Sequence, residues 1–176
     1  RAAMHETEPL FRDANAAIFD IGAVRQSDAP GTILPSANGF YGEEICLLAR
    51  YAGLSDNLKL FGLFEVNPSL DSRGQSTQLA AQIIWFFLEG FSQKQFEVSS
   101  LPDQQNPRFT RYHVTLTDLG SEIIFIKSAL TERWWLEIKD LSGETHYLAC
   151  AYEDYRNANN DQVPERWTSG HLRFSR

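Results

Sequence analysis

The chain has 176 residues and carries 16 Lys and Arg against 23 Asp and Glu, so its net charge at pH 7 is −7. This acidic balance, without a basic cluster, argues against a nucleic-acid partner. The longest apolar run, Leu79–Leu88, is too short to cross a membrane, so we expect no membrane partner. Two cysteines, Cys46 and Cys150, are too few for a disulfide framework, and we therefore expect a reducing, cytoplasmic compartment.

The first half of the chain, residues 1–91, alternates between apolar runs and amphipathic segments. The runs Ala16–Ile21 and Leu60–Val66 are short and mostly apolar, which predicts two strands buried on both faces of a sheet. Strands that alternate with helices favour a parallel sheet with helices on both sides. We therefore predict the α/β class, with a three-layer α/β/α domain over residues 1–91.

Two helices are predicted after these strands. In Gly42–Ala52, apolar residues recur three and four positions apart, which makes one apolar face. Gly53 follows this segment and is placed to end the helix. Gln75–Glu89 is apolar nearly all round, which predicts a second helix closed by Gly90.

The pattern of the sequence changes after residue 91. Residues 92–107 are polar and contain prolines, so we assign them as a linker. Residues 108–176 hold short segments rich in β-branched and aromatic residues, which predicts an antiparallel β-meander followed by an aromatic tail. The predicted strands are Tyr112–Leu116, Ile123–Lys127, Trp134–Ile138 and Thr145–Leu148.

Trp134 and Trp135 are adjacent in one predicted strand. Successive side chains of a strand point to opposite faces. One tryptophan should therefore pack inward, and the other should cover a helix, the tail or the parallel domain. Tyr152, Tyr155 and Trp167 of the tail are candidate partners. An aromatic platform for a ligand is the alternative interpretation.

Two carboxylates mark the ends of the predicted parallel strands. Asp20 ends the first strand and Glu65 ends the second. Ligands of open parallel α/β sheets bind outside the carboxyl ends of the strands, so both acids are placed to face one crevice. The alternative is structural, with Asp20 capping the following loop and Glu65 a solvated strand end.

The histidines and cysteines do not form a recognisable motif. His5, His113, His146 and His171 are far apart and show no HxH or HExxH spacing. Cys46 lies among apolar neighbours on a predicted helix, which indicates inert packing rather than a reactive thiol.

Three segments resemble one protein family. They are Phe19–Thr32 (FDIGAVRQSDAPGT), Asn38–Gly53 (NGFYGEEICLLARYAG) and Phe64–Asp71 (FEVNPSLD). Together they are similar to the last part of the arginase, or ureohydrolase, family, whose members hydrolyse a guanidino or formimino carbon–nitrogen bond with a binuclear manganese centre. The segment RQSDAPG is most similar to the formimidoylglutamase branch of the family. The resemblance covers Ala16–Gly90 and implies an arginase-like fold that is incomplete at its N-terminus.

The resemblance implies roles for the two strand-end carboxylates. Asp20 corresponds to the aspartate that bridges the two manganese ions in the family. Glu65 corresponds to the glutamate that binds the cationic end of the substrate. Gly22 stands where the family has a second metal-binding aspartate, so the second manganese site is in doubt. Asp28 is either a substitute ligand or a turn-forming residue.

The family's other metal ligands come from G-G-x-H and D-A-H-x-D motifs, which do not occur in these residues. We therefore expect a piece of a longer protein that is inactive by itself. The implied function of the whole protein is manganese-dependent hydrolysis of a small cationic guanidino or formimino substrate. The family commonly forms trimers or hexamers, so we also expect a homo-oligomer. The alternative is a degenerate, non-catalytic arginase-like module for binding or assembly.

Overall fold

The structure, a computed structural model, describes residues 4–117 and 120–174. The chain forms two compact units, one ending at Gln95 and the other beginning at Phe96. The α/β class is confirmed, since a parallel sheet lies in the first unit and a separate antiparallel sheet in the second. Within the described ranges, no helix combines the length and the apolar character that a membrane span requires.

The first unit alternates helices and strands. Strands β1 and β2 pair in parallel, with Ala16 beside Leu60 at one end and Asp20 beside Phe64 at the other. This pairing confirms the predicted parallel sheet. The elements in chain order are α1 (Glu8–Asp13), β1 (Ala16–Asp20), α2 (Gly42–Gly53), β2 (Leu60–Phe64) and α3 (Gln75–Ser92).

One face of this sheet is packed against the helices. The ring of Phe19 in β1 lies 6.1 Å from Phe11 of α1 and 5.3 Å from Phe61 of β2, measured between ring centroids. Phe61 in turn stacks on Phe87 of α3 at 4.0 Å. The predicted apolar face of α2 is buried in the same core, as its spacing requires. That face consists of Ile45, Leu48, Ala49 and Ala52.

The prediction that both strands are buried on both faces is wrong for the described residues. Ile18 is 65% exposed and Leu60 is 55% exposed, and both lie on the face opposite Phe19. An apolar run indicates a hydrophobic strand, but it does not reveal which of the two faces the rest of the chain covers. The strands are also shorter than predicted, because the chain turns into a 3₁₀ helix at Ile21–Ala23 directly after β1.

Gly53 and Gly90 allow the close contact of α2 with α3. A Cβ atom on Gly53 would lie 2.1 Å from the carbonyl oxygen of Phe87, and one on Gly90 would lie 2.3 Å from that of Arg50. The prediction that Gly90 closes α3 is wrong, because the helix continues to Ser92. The glycine at this position is explained by the approach of two backbones rather than by a helix end.

The second unit is an antiparallel sheet with two helices. Its strands pair in the order β3-β4-β5-β6, so the predicted meander is confirmed. The predicted aromatic tail forms the helices. The elements are β3 (Phe109–Leu116), β4 (Ser121–Ser128), β5 (Trp134–Lys139), β6 (Thr145–Cys150), α4 (Tyr152–Asn159) and α5 (Glu165–Phe174).

The two adjacent tryptophans pack on opposite faces of this sheet. Trp134 stacks on Tyr155 of α4 with ring centroids 4.8 Å apart, as the alternation of strand side chains predicts. Trp135 is in the core of the other face and meets Phe109 edge-on at 6.1 Å. Leu101, which precedes the sheet in the chain, is fully buried in that second core. Both rings are buried, which disfavours an aromatic platform for a ligand.

Candidate functional site

Asp20 is the last residue of β1 and its side chain is exposed. One carboxylate oxygen, Oδ1, accepts a hydrogen bond from the backbone N–H of Gly22 at 2.7 Å. This contact starts the 3₁₀ turn and keeps the carboxylate close to the end of the strand. Asp20 therefore combines a local capping role with exposure at the carboxyl edge of the sheet.

Glu65 follows β2 directly and is also exposed. Its backbone has a φ of 62°, in the left-handed region that residues other than glycine seldom adopt. Such a conformation costs about 1–3 kcal/mol and persists only where the surrounding structure holds it. The turn at Glu65 ends the strand, and Asn67 continues it by accepting a hydrogen bond from the N–H of Ser69 at 3.0 Å.

The two predicted site residues lie at the same edge of the parallel sheet. Asp20 is in register with Phe64, the residue that precedes Glu65. Both carboxylates therefore follow the carboxyl ends of neighbouring parallel strands, which is the edge where α/β sheets bind ligands. The arrangement offers two anionic groups, accessible from solvent, that can bind a cation or a cationic group.

Both carboxylate oxygens of Asp28 already contact neighbouring groups of the protein. Its Oδ2 accepts a hydrogen bond from the N–H of Gly42, at the start of α2, at 2.8 Å. Its Oδ1 lies 2.9 Å from Nε of Arg25. The Arg25 guanidinium holds the pKa of the Asp28 carboxyl below its usual range. These contacts favour a structural role for Asp28 over that of a substitute metal ligand.

The loop after β1 is tied to the start of α3. The N–H of Gly31 donates to Oγ of Ser76 at 2.7 Å, and a Cβ on Gly31 would lie 2.6 Å from Cβ of Asp71. Asp71 accepts hydrogen bonds from the N–H and Oγ1 of Thr77, and the N–H contact is the main cause of its lowered pKa. These contacts connect the loops that follow Asp20 and Glu65.

The described residues around Asp20 do not supply the ligands of a binuclear manganese centre. Gly22, at the position of the family's second aspartate, has no side chain to offer. Within residues 4–117 and 120–174, the one group of three metal-ligating side chains with converging atoms is Asp140, Glu144 and His146, in the second unit. Asp20 therefore fits a manganese site as a single ligand only.

Cys46 and Cys150 are buried, and neither forms a disulfide within the described residues. Cys46 is part of the core of the first unit, and burial raises the pKa of its thiol. A raised pKa keeps a thiol protonated and therefore unreactive near neutral pH. The expected packing role of Cys46 agrees with this environment.

Part of the chain, which includes both strands of the parallel sheet, is similar to proteins of one family. Residues 11–89 match the sequence model of the arginase family. This match confirms the resemblance noted in its sequence.

Two curated relatives are formimidoylglutamases. The chain is 28% identical over 95 residues to the enzyme of Bacillus subtilis, covering 52% of this chain and 30% of the relative. It is 30% identical over 80 residues to that of Aromatoleum aromaticum, covering 46% of this chain and 24% of the relative. The chain therefore spans less than a third of the length of either relative.

Solved structures of the same family also align with part of the chain. Trypanosoma cruzi formiminoglutamase, crystallised with Mn²⁺, is 25% identical with a TM-score of 0.44, over 46% of this chain and 27% of that one. Arginase from Bacillus caldovelox is 25% identical with a TM-score of 0.43, over 49% of this chain and 30% of that one.

Proposed function

We propose that this chain is part of a hydrolase of the ureohydrolase type, which cleaves a formimino or guanidino carbon–nitrogen bond. The observation that carries the proposal is the position of Asp20 and Glu65 at one carboxyl edge, within the segment that matches the arginase family. The two formimidoylglutamase relatives favour a formimino compound as the substrate. Both the activity and the substrate belong to the whole protein, of which these residues supply one part.

The two carboxylates have different roles in this proposal. Asp20 is a manganese ligand, and the remaining ligands come from other parts of the whole protein. Glu65 binds the cationic amidinium end of the substrate, because a carboxylate forms charge-assisted hydrogen bonds with a planar cation. The strained turn at Glu65 sets the direction in which its side chain leaves the strand. Asp71 and Ser76 support both loops through their contacts with Thr77 and Gly31.

A non-catalytic arginase-like module is the second candidate function. Two observations favour it: Gly22 replaces a metal-binding aspartate, and the carboxylate of Asp20 is already engaged by the N–H of Gly22. In this case the edge of the sheet would bind or assemble without hydrolysis. The manganese content of the whole protein separates the two candidates.

We further propose the partners and the compartment of the whole protein. Its substrate is a small cation, which suits the two exposed acids at the sheet edge. The protein acts in a reducing cytoplasm, in keeping with two buried cysteines that form no disulfide within the described residues. We also propose that the whole protein forms a homo-oligomer, as the resemblance to the arginase family implies.

Replacing Asp20 and Glu65 separately in the whole protein is expected to affect metal binding in one variant and substrate binding in the other. Asp20→Asn should lower manganese content and hydrolysis together, because a neutral amide is a poor ligand for a hard cation. Glu65→Gln should leave manganese bound and raise KM about tenfold to a hundredfold, the scale of a hydrogen bond to a charged group. Bound manganese is measured by atomic absorption, and hydrolysis by the release of the cleaved nitrogen group.

Asp103→Asn is the matched control for these variants. Asp103 is exposed and accepts a hydrogen bond from the N–H two residues further on, as Asp20 does, but it lies in the second unit. Manganese content and KM should both stay at the wild-type values. If Asp20→Asn retains full manganese and activity, the proposed role of Asp20 is wrong. A wild-type protein that binds no manganese and hydrolyses no formimino or guanidino compound would support the non-catalytic module.

A further inference from the structure

The turn between β5 and β6 brings three metal-ligating side chains together. Asp140 follows the last residue of β5, Glu144 precedes the first residue of β6, and His146 is the second residue of β6. Each residue offers one ligand atom, and these three atoms lie within 4.8 Å of one another. A metal ion with bonds of about 2.0–2.2 Å to nitrogen and oxygen can bridge such a group after small side-chain movements.

Asp140 is oriented by the turn itself. Its Oδ1 accepts hydrogen bonds from the N–H and Oγ of Ser142 and from the N–H of Glu144, at 2.6–2.9 Å. Its second oxygen, Oδ2, lies 3.0 Å from Nε2 of His146. One oxygen therefore holds the turn while the other faces the imidazole.

His146 is oriented from the other side by an aromatic ring. Phe174 of α5 stacks on the imidazole at 4.2 Å, with an angle of 2° between the planes. This stacking comes from outside the turn and fixes the plane in which Nε2 points. The His146 side chain is 25% exposed and Glu144 is exposed, so an ion can reach the group from solvent. Two of the three ligands are thus held in place before an ion arrives, which reduces the entropy lost on binding.

We propose that Asp140, Glu144 and His146 form a binding site for a divalent transition metal of the zinc type. Imidazole nitrogen with two carboxylate oxygens suits zinc, whereas calcium and magnesium prefer oxygen ligands alone. The ion would replace the proton shared by Nε2 of His146 and Oδ2 of Asp140, which is released to solvent, and Glu144 would bind the ion from the exposed side. The two carboxylates balance its charge, and water completes the coordination.

This site belongs to a different unit from the edge of the parallel sheet. It lies in the second unit, outside the segment that matches the arginase family. The same sheet offers an internal comparison, because His113 and Glu122 form a pair with Nδ1 and Oε1 3.2 Å apart. No third metal-ligating side chain joins that pair within the described residues. This pair therefore serves as a reference for the weak zinc binding expected of one histidine and one carboxylate.

Isothermal titration of the 176-residue chain with zinc chloride tests the site. We expect one zinc ion per chain, with an affinity that falls at least about tenfold in both Glu144→Gln and His146→Ala. Glu144 is exposed, so Glu144→Gln leaves the fold intact, which circular dichroism verifies. His113→Ala should bind zinc like the wild type, and calcium should not compete.

Three results would overturn the proposal. The first is an absence of saturable binding at millimolar zinc. The second is binding that survives unchanged in both Glu144→Gln and His146→Ala. Loss of binding in Asp20→Asn instead would assign the zinc to the edge of the parallel sheet, which also contradicts the proposal. The first two outcomes do not bear on the proposed hydrolytic function, because that function rests on residues of the first unit.

Discussion

Replacing Trp135 by alanine is expected to lower the free energy of unfolding of the second unit by about 3–5 kcal/mol, the range for truncating a buried large aromatic ring. Trp135 is 2% exposed and packs with Leu101, Phe109, Ile126 and Ala149 in one core. Removing the indole leaves a cavity that these neighbours cannot fill without moving strands. The loss combines the lost burial of apolar surface with the cost of that cavity.

The measurement is urea unfolding of the whole chain, followed by far-ultraviolet circular dichroism. Leu141→Ala is the matched control, because Leu141 is 88% exposed in the turn between β5 and β6. That control should change stability by no more than about 0.5 kcal/mol, as surface substitutions do. A Trp135→Ala protein that is as stable as the control would contradict the buried position of the ring.

Replacing Gly90 by alanine is expected to destabilise the first unit by about 1–3 kcal/mol, the usual effect of overpacking. The direction is informative, because alanine in an exposed helix normally stabilises by roughly 1 kcal/mol relative to glycine. Here the added methyl group would lie 2.3 Å from the carbonyl oxygen of Arg50, a backbone atom that cannot turn away. The two helices must separate to admit it, which disturbs the core behind β1 and β2.

Thermal unfolding of the chain measures this effect. Gln82→Ala is the control, since Gln82 is an exposed residue in the interior of the same helix. We expect Gln82→Ala to be neutral or slightly stabilising, because alanine has the highest helix propensity. An increase in stability for Gly90→Ala would show that α2 and α3 do not approach closely at this point.

Much of the fold was accessible from local patterns in the sequence. The period of apolar residues in α2 predicts its buried face, and alternation at Trp134 and Trp135 predicts their opposite directions. The exposure of Ile18 was not predictable, because an apolar strand looks the same whether one or both of its faces are covered. Gly90 was misinterpreted as a helix end, since a close approach of two helices leaves no local signal beyond the glycine itself.

The candidate site also combines features that the local sequence predicts with contacts between residues far apart in the chain. The position of Asp20 and Glu65 at one edge of the sheet is predictable, because strand ends are visible in the sequence and parallel strands share their carboxyl edge. The contact of Gly31 with Ser76 joins residues 45 positions apart and depends on how the loop folds. The sequence does not reveal the group of Asp140, Glu144 and His146, because the turn between β5 and β6 brings these residues together and their spacing matches no established metal motif.

The most direct test of the central claim, that Asp20 and Glu65 serve one site in different roles, is anomalous X-ray scattering at the manganese edge. It requires crystals of the whole protein grown with Mn²⁺. We expect a manganese peak at bonding distance, about 2 Å, from the Asp20 carboxylate. The Glu65 carboxylate should face the same crevice without binding the ion. The absence of a peak at Asp20, or a Glu65 side chain directed away from that crevice, would contradict the claim.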